Sequence, residues 1–325
     1  MIGAQGSPYL EPDQWQFNFG WRYQYSDRHF TGTSEHEERD KENSQVKNTI
    51  HQLTFGMSYG WDEQTAVTIT LPYYMNERSQ ENRDFPGERR YTAAHGIGDL
   101  TVLARRWLRD TKENPTSNFG FGVGLKLPTG EDNVQDSVKT LEDFDGDGQK
   151  DDVRIRGQTV DQSIQPGDGG FGLILDFEWF HTIGNFTPYA YLGWTFTPQG
   201  ESGVQTGRTK PSEDVMSIAD SYISRAGTMY AVDSVEGLSL GLGARIEGVP
   251  AHDPIGKDHG FRRPGFALSA EPSVVLARGK NVFSLSVPYA LVRNRHRSDA
   301  DQRYGGHGDA AFADYVLLFN WSRRF

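Results

Sequence analysis

The 325-residue chain has no cysteine and no run of about 18 apolar residues. The missing apolar run excludes a membrane-spanning α-helix, but hydropathy is blind to β-barrels, whose strands are apolar on one face only. The lack of cysteine fits a protein that is exported through an oxidising compartment. Residues 1–5 lack the charged and apolar regions of a secretory signal, so we expect the chain to be a processed or engineered mature form.

Apolar residues are also scarce, and basic residues are fewer than acidic ones. Only 36% of the residues are hydrophobic and the mean hydropathy is -0.64, which leaves little material for a large water-soluble core. In a barrel, lipid covers one face of each strand and polar groups cover the other, so a low hydropathy is expected. The formal net charge of -11 argues against a nucleic acid partner. No linker divides the chain, and we predict one domain over residues 1–325.

What the chain does contain is a strict two-residue alternation near both ends. Every second residue of segment 15–25 is aromatic, and the residues between are polar or glycine. Segment 311–321 alternates in a similar way, and the chain stops at Phe325. Because successive side chains of a β-strand point to opposite faces, such a segment separates an apolar medium from an aqueous one. This pattern predicts a transmembrane β-barrel.

Further segments of this kind bring the count to about twelve strands of the length that a barrel needs. They are residues 15–25, 49–60, 66–75, 99–108, 118–127, 170–181, 186–196, 222–232, 238–249, 266–276, 282–292 and 311–325. Long connections (28–48, 76–97, 129–167, 198–221, 250–264 and 294–309) alternate with tight turns. We therefore predict an all-β, antiparallel, up-and-down barrel with long external loops and short periplasmic turns, in the outer membrane of a Gram-negative bacterium. A soluble β-sandwich also alternates, but too little apolar sequence is left for a second packed layer.

The alternation assigns a set of charged residues to the inside of the barrel. These lumen residues are Arg22, Asp99, Arg105, Lys126, Asp176, Glu178, Arg245, Glu247, Glu271 and Asp314. Charges inside a narrow barrel must be paired or solvated. Two interpretations stay open: the network is structural packing of the interior, or part of it lines a solute path and sets selectivity.

The predicted external loop 129–167 contains a segment that resembles the calcium loops of EF-hand, dockerin and thrombospondin type 3 repeats. Oxygen donors recur at alternate positions: Asp143, Asp145, Asp147, Gln149 and Asp151. Gly146 stands where such a loop bends sharply, whereas Arg154 stands where a bidentate acid is expected. The segment is therefore either a Ca²⁺ site, completed by Asp152 or another segment, or an acidic surface loop without metal.

Histidines and acids recur in two late loops, where we expect hydrogen bonds at the barrel rim rather than a transition-metal site, since no tight ligand spacing recurs. They are His252, Asp253, Asp258 and His259, followed by His296, Asp299, Asp301, His307 and Asp309. His296 and Ser298 have the spacing of the His-x-Ser pair of some outer-membrane lipases. The alternation of the preceding strand points both side chains inward, however, and we predict no catalytic residue.

Several short motifs resemble those of a known family. Segment 95–100 (HGIGDL) and segment 122–130 (GVGLKLPTG) resemble the paired Gly-Asp-Leu and Pro-Thr-Gly signatures of the outer-membrane, transporter-like family labelled "MetA-pathway of phenol degradation". Segments 245–250, 293–295 and 307–315 also resemble relatives of this kind. The resemblance spans roughly residues 48–325, and it implies a barrel and the movement of small compounds, aromatic ones among them. It implies no catalytic residues and no calcium loop.

From these features we expect a non-enzymatic outer-membrane channel or transporter for small solutes, with aromatic or hydrophobic compounds as candidates. The alternative is a structural or interaction barrel with a closed lumen, whose acidic external loops bind Ca²⁺ or a partner protein. The expected partners are outer-membrane lipid and the barrel-assembly machinery, which would recognise the closing strand that ends at Phe325. Lipid-facing aromatic residues are also compatible with a homo-oligomer.

Overall fold

The computed structural model describes residues 8–208, 210 and 212–325, and the main sheet of these residues closes on itself. The first strand is antiparallel to the last, with Gln16 opposite Arg324 and Trp21 opposite Phe319. This pairing completes a cylinder in which the outermost strands satisfy each other's backbone groups. The chain start at residues 1–5, for which we predicted a processed form, lies outside the described residues.

The described elements comprise nineteen strands, two short helices and one 3₁₀ turn. The strands are β1 Trp15–Thr31, β2 Ser34–Glu35, β3 Lys47–Gly60, β4 Thr65–Glu81, β5 Arg89–Ile97, β6 Leu100–Trp107, β7 Ser117–Leu127, β8 Gln135–Glu142, β9 Asp152–Thr159, β10 Gly172–His181, β11 Phe186–Phe196, β12 Glu201–Gln205, β13 Val215–Ser217, β14 Ser221–Ala231, β15 Leu238–Val249, β16 Gly265–Arg278, β17 Asn281–Ser286, β18 Tyr289–Arg295 and β19 Ala310–Arg324. The helices are α1 Glu38–Lys41 and α2 Asp299–Arg303, and the 3₁₀ turn is Gln162–Ile164. None of the described helices is long and apolar enough to cross a membrane.

The barrel wall has twelve strand positions, as the alternation predicted. β5 and β6 share one position, because both pair with β4. β17 and β18 share another, because both pair with β16 and with β19. The loop strands β8 and β9 form a hairpin of their own, and β12 pairs with β13. Long loops gather at one end of the barrel, which we call the long-loop end. The start of β1, the end of β19 and the tight turns gather at the other, which we call the short-turn end.

The two faces of the wall differ as the alternation requires. Leu125, Leu242 and Leu291 on the outside are each more than half exposed, whereas Glu271 on the inside is 0% exposed. Large aliphatic and aromatic side chains are exposed along most of the wall strands, which a water-soluble protein would not tolerate. This arrangement, apolar outside and polar inside, is that of a transmembrane β-barrel.

Several predicted boundaries were wrong. The predicted long loop 76–97 is mostly strand, since β4 continues to Glu81 and β5 begins at Arg89. β1 likewise continues to Thr31. Beyond the apolar band, neither face of a strand meets lipid, so the sequence there no longer alternates and resembles a loop. The predicted strand 282–292 is interrupted at Pro288, which has no backbone N–H for the ladder.

Candidate functional site

One group of lumen charges joins two strands across a stripe of glycines. Arg105 on β6 contacts Asp176 and lies 3.4 Å from the Glu178 carboxylate, both on β10. The strand between them, β7, presents Gly122 at this level, where a Cβ would collide with the Asp176 carboxylate. The glycine therefore leaves the space in which the ion pair forms. The Asp176 side chain is 1% exposed, so its charge depends on this partner.

A second group of charges bridges more of the lumen. Arg22 on β1 lies 2.7 Å from Glu247 on β15, although three wall positions separate these strands. Arg245 contacts the same carboxylate at 2.5 Å. Arg225 on β14 donates two hydrogen bonds of 2.9 Å to the fully buried Glu271. We call these two groups the charge layer.

Two cavities lie inside the barrel, one towards each end. The cavity at the short-turn end has a volume of 320 Å³, and that at the long-loop end has a volume of 400 Å³. The first is lined by Arg105, Glu178, Tyr189, Tyr191, Arg225 and Met229, among others. The second is lined by Gln52, Tyr74, Asp99, Lys126, Gln165 and Asp168, among others. Both are large enough for a small organic molecule.

The long-loop end is narrowed by residues 160–168, which we call the lumen segment. Ile164 is 0% exposed and packs with Val160 and Ala94. Asn76 on β4 donates a hydrogen bond of 3.1 Å to the Ile164 carbonyl. The predicted external loop 129–167 is therefore external only in part. Its last residues fold into the barrel because Val160 and Ile164 bury their apolar side chains there.

Two glycines allow the lumen segment to cross the Pro-Thr-Gly motif. A Cβ on Gly130 would lie 2.8 Å from the Gly167 Cα, and the reverse distance is also 2.8 Å. Asp99 of the Gly-Asp-Leu motif accepts hydrogen bonds from the backbone N–H of Gly130, at 2.9 Å, and of Asp168, at 3.3 Å. Lys126 contacts Asp168 and lies 3.4 Å from Asp99. Both motifs therefore anchor the lumen segment to the wall.

Asp161 anchors the same segment to arginines at the mouth of the barrel. Its carboxylate accepts the backbone N–H of Ser163 at 3.0 Å and two hydrogen bonds of 2.8 Å from Arg263. Arg78 lies 3.4 Å away. Burial alone would raise the pKa of Asp161, but the positive charges of Arg263 and Arg78 hold this pKa well below its ordinary value. Asp161 is therefore ionised at neutral pH.

The short-turn end is narrowed by the segment that precedes β1. Tyr9 makes an edge-to-face contact with Trp107, with 5.1 Å between the ring centroids, and also packs against Phe180. Its hydroxyl donates a hydrogen bond of 2.7 Å to the Asn114 carbonyl and accepts one of 3.2 Å from Asn118. A lumen with cavities inside is thus narrowed at both ends.

The aspartate-rich loop forms the turn of the β8–β9 hairpin. One carboxylate oxygen from each of three exposed residues lies within 4.8 Å of the others, and these residues are Asp143, Asp145 and Asp147. Gln149 donates its backbone N–H to Asp147 at 2.7 Å, and Asp151 lies outside the group of three. The structure thus brings three of the five predicted ligands together. Ca²⁺ takes six to eight oxygen ligands, so further donors would have to complete such a site.

Most of the predicted lumen residues meet in the charge layer or beside the lumen segment. The charge layer contains Arg22, Arg105, Asp176, Glu178, Arg245, Glu247 and Glu271, and Asp99 and Lys126 contact the lumen segment. Asp314 stands apart, bound to Arg28 at 2.6 Å and to Arg293 at 2.5 Å. The pairing of β1 with β19 is irregular only at Ser26, and Gln24 opposite Val316 and Arg28 opposite Phe312 keep the same register, so Asp314 lies on the face of Arg28.

Several residues of this site were not predicted from the sequence. Arg225 was missed because small residues on the other face of β14, such as Ala226 and Thr228, weaken the alternation. Counting by two residues from Met229 would have placed Arg225 on the inner face. Asp161 and Asp168 lie outside regular strands, and no local pattern marks them. They can be recognised only from partners that are distant in the sequence.

The two late loops use their histidines and acids for hydrogen bonds and ion pairs. His252 lies 2.8 Å from Asp258, and His29 lies 2.6 Å from Asp309. Ser298 caps α2 by accepting the backbone N–H of Asp301 at 3.1 Å. This cap engages the hydroxyl of the His-x-Ser segment.

No protein-family model matches the chain, and no curated protein matches it. Among solved structures, the chain is similar to an outer membrane channel from Pseudomonas putida F1, with 13% identity, 100% of both chains covered and a TM-score of 0.60. The chain has the fold of an outer-membrane β-barrel. It also shows weaker similarity to the toluene transporter TodX of P. putida (9% identity, 97% of this chain and 91% of that chain, TM-score 0.49). It is 12% identical to the translocator domain of the autotransporter NalP from Neisseria meningitidis, with 97% of this chain and 90% of that chain covered and a TM-score of 0.47.

Proposed function

We propose that this protein is a channel in the outer membrane of a Gram-negative bacterium and that it admits small solutes through its charged lumen. The observation that carries the proposal is the pair of cavities, 320 and 400 Å³, inside a closed barrel. A barrel that served only as an anchor would gain stability by filling this space with side chains. The fold shared with the P. putida F1 channel supports the same conclusion. The long-loop end then faces the exterior, and the apolar outer face contacts lipid.

Aromatic or hydrophobic compounds are candidate solutes. The cavity at the short-turn end is lined in part by Tyr189, Tyr191 and Met229, which offer apolar contact surface beside charged groups. We also infer that the protein belongs to the family labelled "MetA-pathway of phenol degradation". The anchoring role of Asp99 and Gly130 gives the two signature motifs of that resemblance a structural purpose.

The purified full-length chain should conduct ions in planar bilayers and admit small solutes into liposomes. We expect conductance in discrete steps, below that of porins with 16 to 18 strands, because a barrel with fewer strands is narrower and this one is narrowed at both ends. Liposomes that carry heat-unfolded protein serve as the control. Folded protein with neither conductance nor solute uptake would contradict the channel proposal.

The second candidate function is an interaction barrel with a closed lumen, and two observations favour it. Tyr9 and the lumen segment narrow opposite ends, and three aspartates converge in the β8–β9 turn. In this proposal, Ca²⁺ binds among Asp143, Asp145 and Asp147 and orders the loop rather than taking part in catalysis. Pull-downs from native membranes, with and without chelator, distinguish this function from transport.

The calcium proposal predicts protection from proteolysis. Replacing Asp145→Ala together with Asp147→Ala should make the 129–167 region more sensitive to protease, because a bound ion would hold the turn together. We expect Ca²⁺ to slow digestion of the unaltered chain and of an Asp233→Ala control at the short-turn end. If digestion is identical with and without Ca²⁺, the site does not exist.

We propose no enzymatic activity, and the use of Ser298 as a helix cap supports this view. We propose the barrel-assembly machinery as a partner, since the closing strand β19 carries alternating apolar residues at Tyr315, Leu317, Phe319 and Trp321. The guanidinium of Arg323 lies 5.6 Å from the Phe325 ring centroid, a position from which it can reach the water interface. Exposed aromatic residues on the outer face are compatible with a homo-oligomer.

A further inference from the structure

Four arginines gather around the lumen segment at the long-loop end, and we call them the mouth arginines: Arg78, Arg90, Arg208 and Arg263. Asp161 pairs with both Arg263 and Arg78, at 2.8 and 3.4 Å. Glu213 pairs with Arg208 at 3.6 Å. Arg90 donates to the Gln158 side-chain oxygen at 3.5 Å. In the described part of the chain, these ion pairs therefore join three guanidinium groups, those of Arg78, Arg208 and Arg263, to two carboxylates.

The mouth arginines lie close enough to repel one another. The guanidinium carbons of Arg208 and Arg263 lie 3.8 and 4.6 Å from the same Phe261 ring centroid. Burial lowers the pKa of Arg208, and the charge of Arg263 lowers it further. In a chain with a net charge of -11, this mouth is a local concentration of positive charge. Such a concentration attracts anions.

Asp161 shows which kind of anion fits. Its two carboxylate oxygens each accept a hydrogen bond of 2.8 Å from a separate nitrogen of Arg263. Two parallel N–H···O bonds of this kind match the planar geometry of a carboxylate. The group that occupies the arginines in this structure is thus a carboxylate carried by the segment that narrows the lumen.

We propose that the mouth arginines form a binding site for small organic carboxylates, and that Asp161 occupies this site when the channel is closed. This inference rests on the proposed channel function, for which it names the solute class. An incoming carboxylate takes over the two hydrogen bonds of Arg263, and Asp161 is released. The lumen segment then loses its ion pairs with Arg263 and Arg78, while Asp99 still holds its other end at Asp168. The path to the 400 Å³ cavity opens.

Competition between Asp161 and the solute weakens the binding of the solute to the mouth arginines, and a channel requires weak binding. Because Asp161 is tethered, its local concentration is of the order of millimolar or above, and a free solute must compete with it. A solute that bound much more tightly would not leave the mouth for the lumen. The device therefore favours carboxylates without trapping them.

Benzoate and benzamide test the proposal, because they have nearly the same shape and differ in charge. The full-length chain in planar bilayers should show an increase in open-channel current of at least about threefold with millimolar benzoate and no increase with benzamide. Asp161→Asn should be open without solute and should not respond to benzoate. Arg263→Gln should also lose the response. Glu236→Gln, in an exposed turn at the short-turn end, serves as the matched control and should behave as the unaltered chain.

The outcomes separate this inference from the channel proposal. Equal effects of benzoate and benzamide, or an Asp161→Asn variant that behaves as the unaltered chain, would overturn the carboxylate site and leave the channel in place. Folded protein that passes neither ions nor either solute would overturn the channel itself. Folding is checked by heat-modifiable migration on gels. If Asp161→Asn does not fold, Arg263→Lys, which keeps the charge but loses the two-nitrogen fork, must still lose the benzoate response.

Discussion

A disulfide between the lumen segment and the barrel wall is expected to lower solute flux by on the order of tenfold, and a reducing agent should restore it. The change is Gly96→Cys together with Pro166→Cys. A Cβ placed on Gly96 lies 3.8 Å from the Cβ of Pro166, a separation close to the mean of about 3.8 Å in disulfides. The chain contains no cysteine of its own, so only the intended bond can form within one molecule.

Liposome swelling with the oxidised and the reduced double variant measures this effect. The single variant Gly96→Cys is the control, because its flux should not respond to oxidant or reductant. Mass spectrometry must show that the bond has formed. A fully formed bond with unchanged flux would mean that solutes pass without movement of residue 166 away from the wall.

Neutralising the most deeply buried carboxylate of the charge layer is expected to have the largest effect on stability. Glu271→Gln should lower the free energy of unfolding by about 3 kcal/mol, because it leaves the partly buried Arg225 without its counter-charge. Glu271 is 0% exposed and accepts two hydrogen bonds of 2.9 Å from Arg225, and Arg245 lies 4.0 Å away. Its replacement leaves both arginines with less negative charge nearby.

Denaturant unfolding in detergent micelles measures the loss. Glu63→Gln removes a carboxylate that pairs with Lys112 on the surface and is the matched control, with an expected loss below about 1 kcal/mol. The double variant with Arg225→Gln should recover part of the loss, because it removes the unpaired charge. A Glu271→Gln variant as stable as the Glu63→Gln control would show that water in the lumen solvates these arginines.

The charge layer and the lumen segment have different roles in the barrel. The charge layer joins strands of the wall through ion pairs such as Arg22 with Glu247 and so stabilises the cylinder. The lumen segment is held by the burial of Val160 and Ile164 and by polar contacts with Asn76, Asp99, Val134, Ser217 and Arg263. Because it belongs to no strand of the wall, this segment is the part of the lumen that can move without unfolding the barrel.

The barrel itself could be predicted from the sequence because its signal is local. Two-residue alternation depends only on neighbouring residues, so segments such as 15–25 indicated the barrel by themselves. The signal weakened where one face carries small residues, as beside Arg225. It ended where a strand leaves the apolar band, as in β4 beyond Asn76, because both faces of the strand then meet polar surroundings.

The chain alone therefore specifies a cylinder with an apolar outside, a polar inside and twelve wall positions. The reason is that the alternation of apolar and polar residues in each strand matches lipid on one side and the lumen on the other. Which charges meet is decided only by closure of the barrel. Arg22 and Glu247 are 225 residues apart, and Arg263 and Asp161 are 102 residues apart. The entry of residues 160–168 into the lumen likewise depends on distant partners, among them Asn76 and Asp99. No local pattern encodes such contacts, because they exist only after the first and last strands have paired.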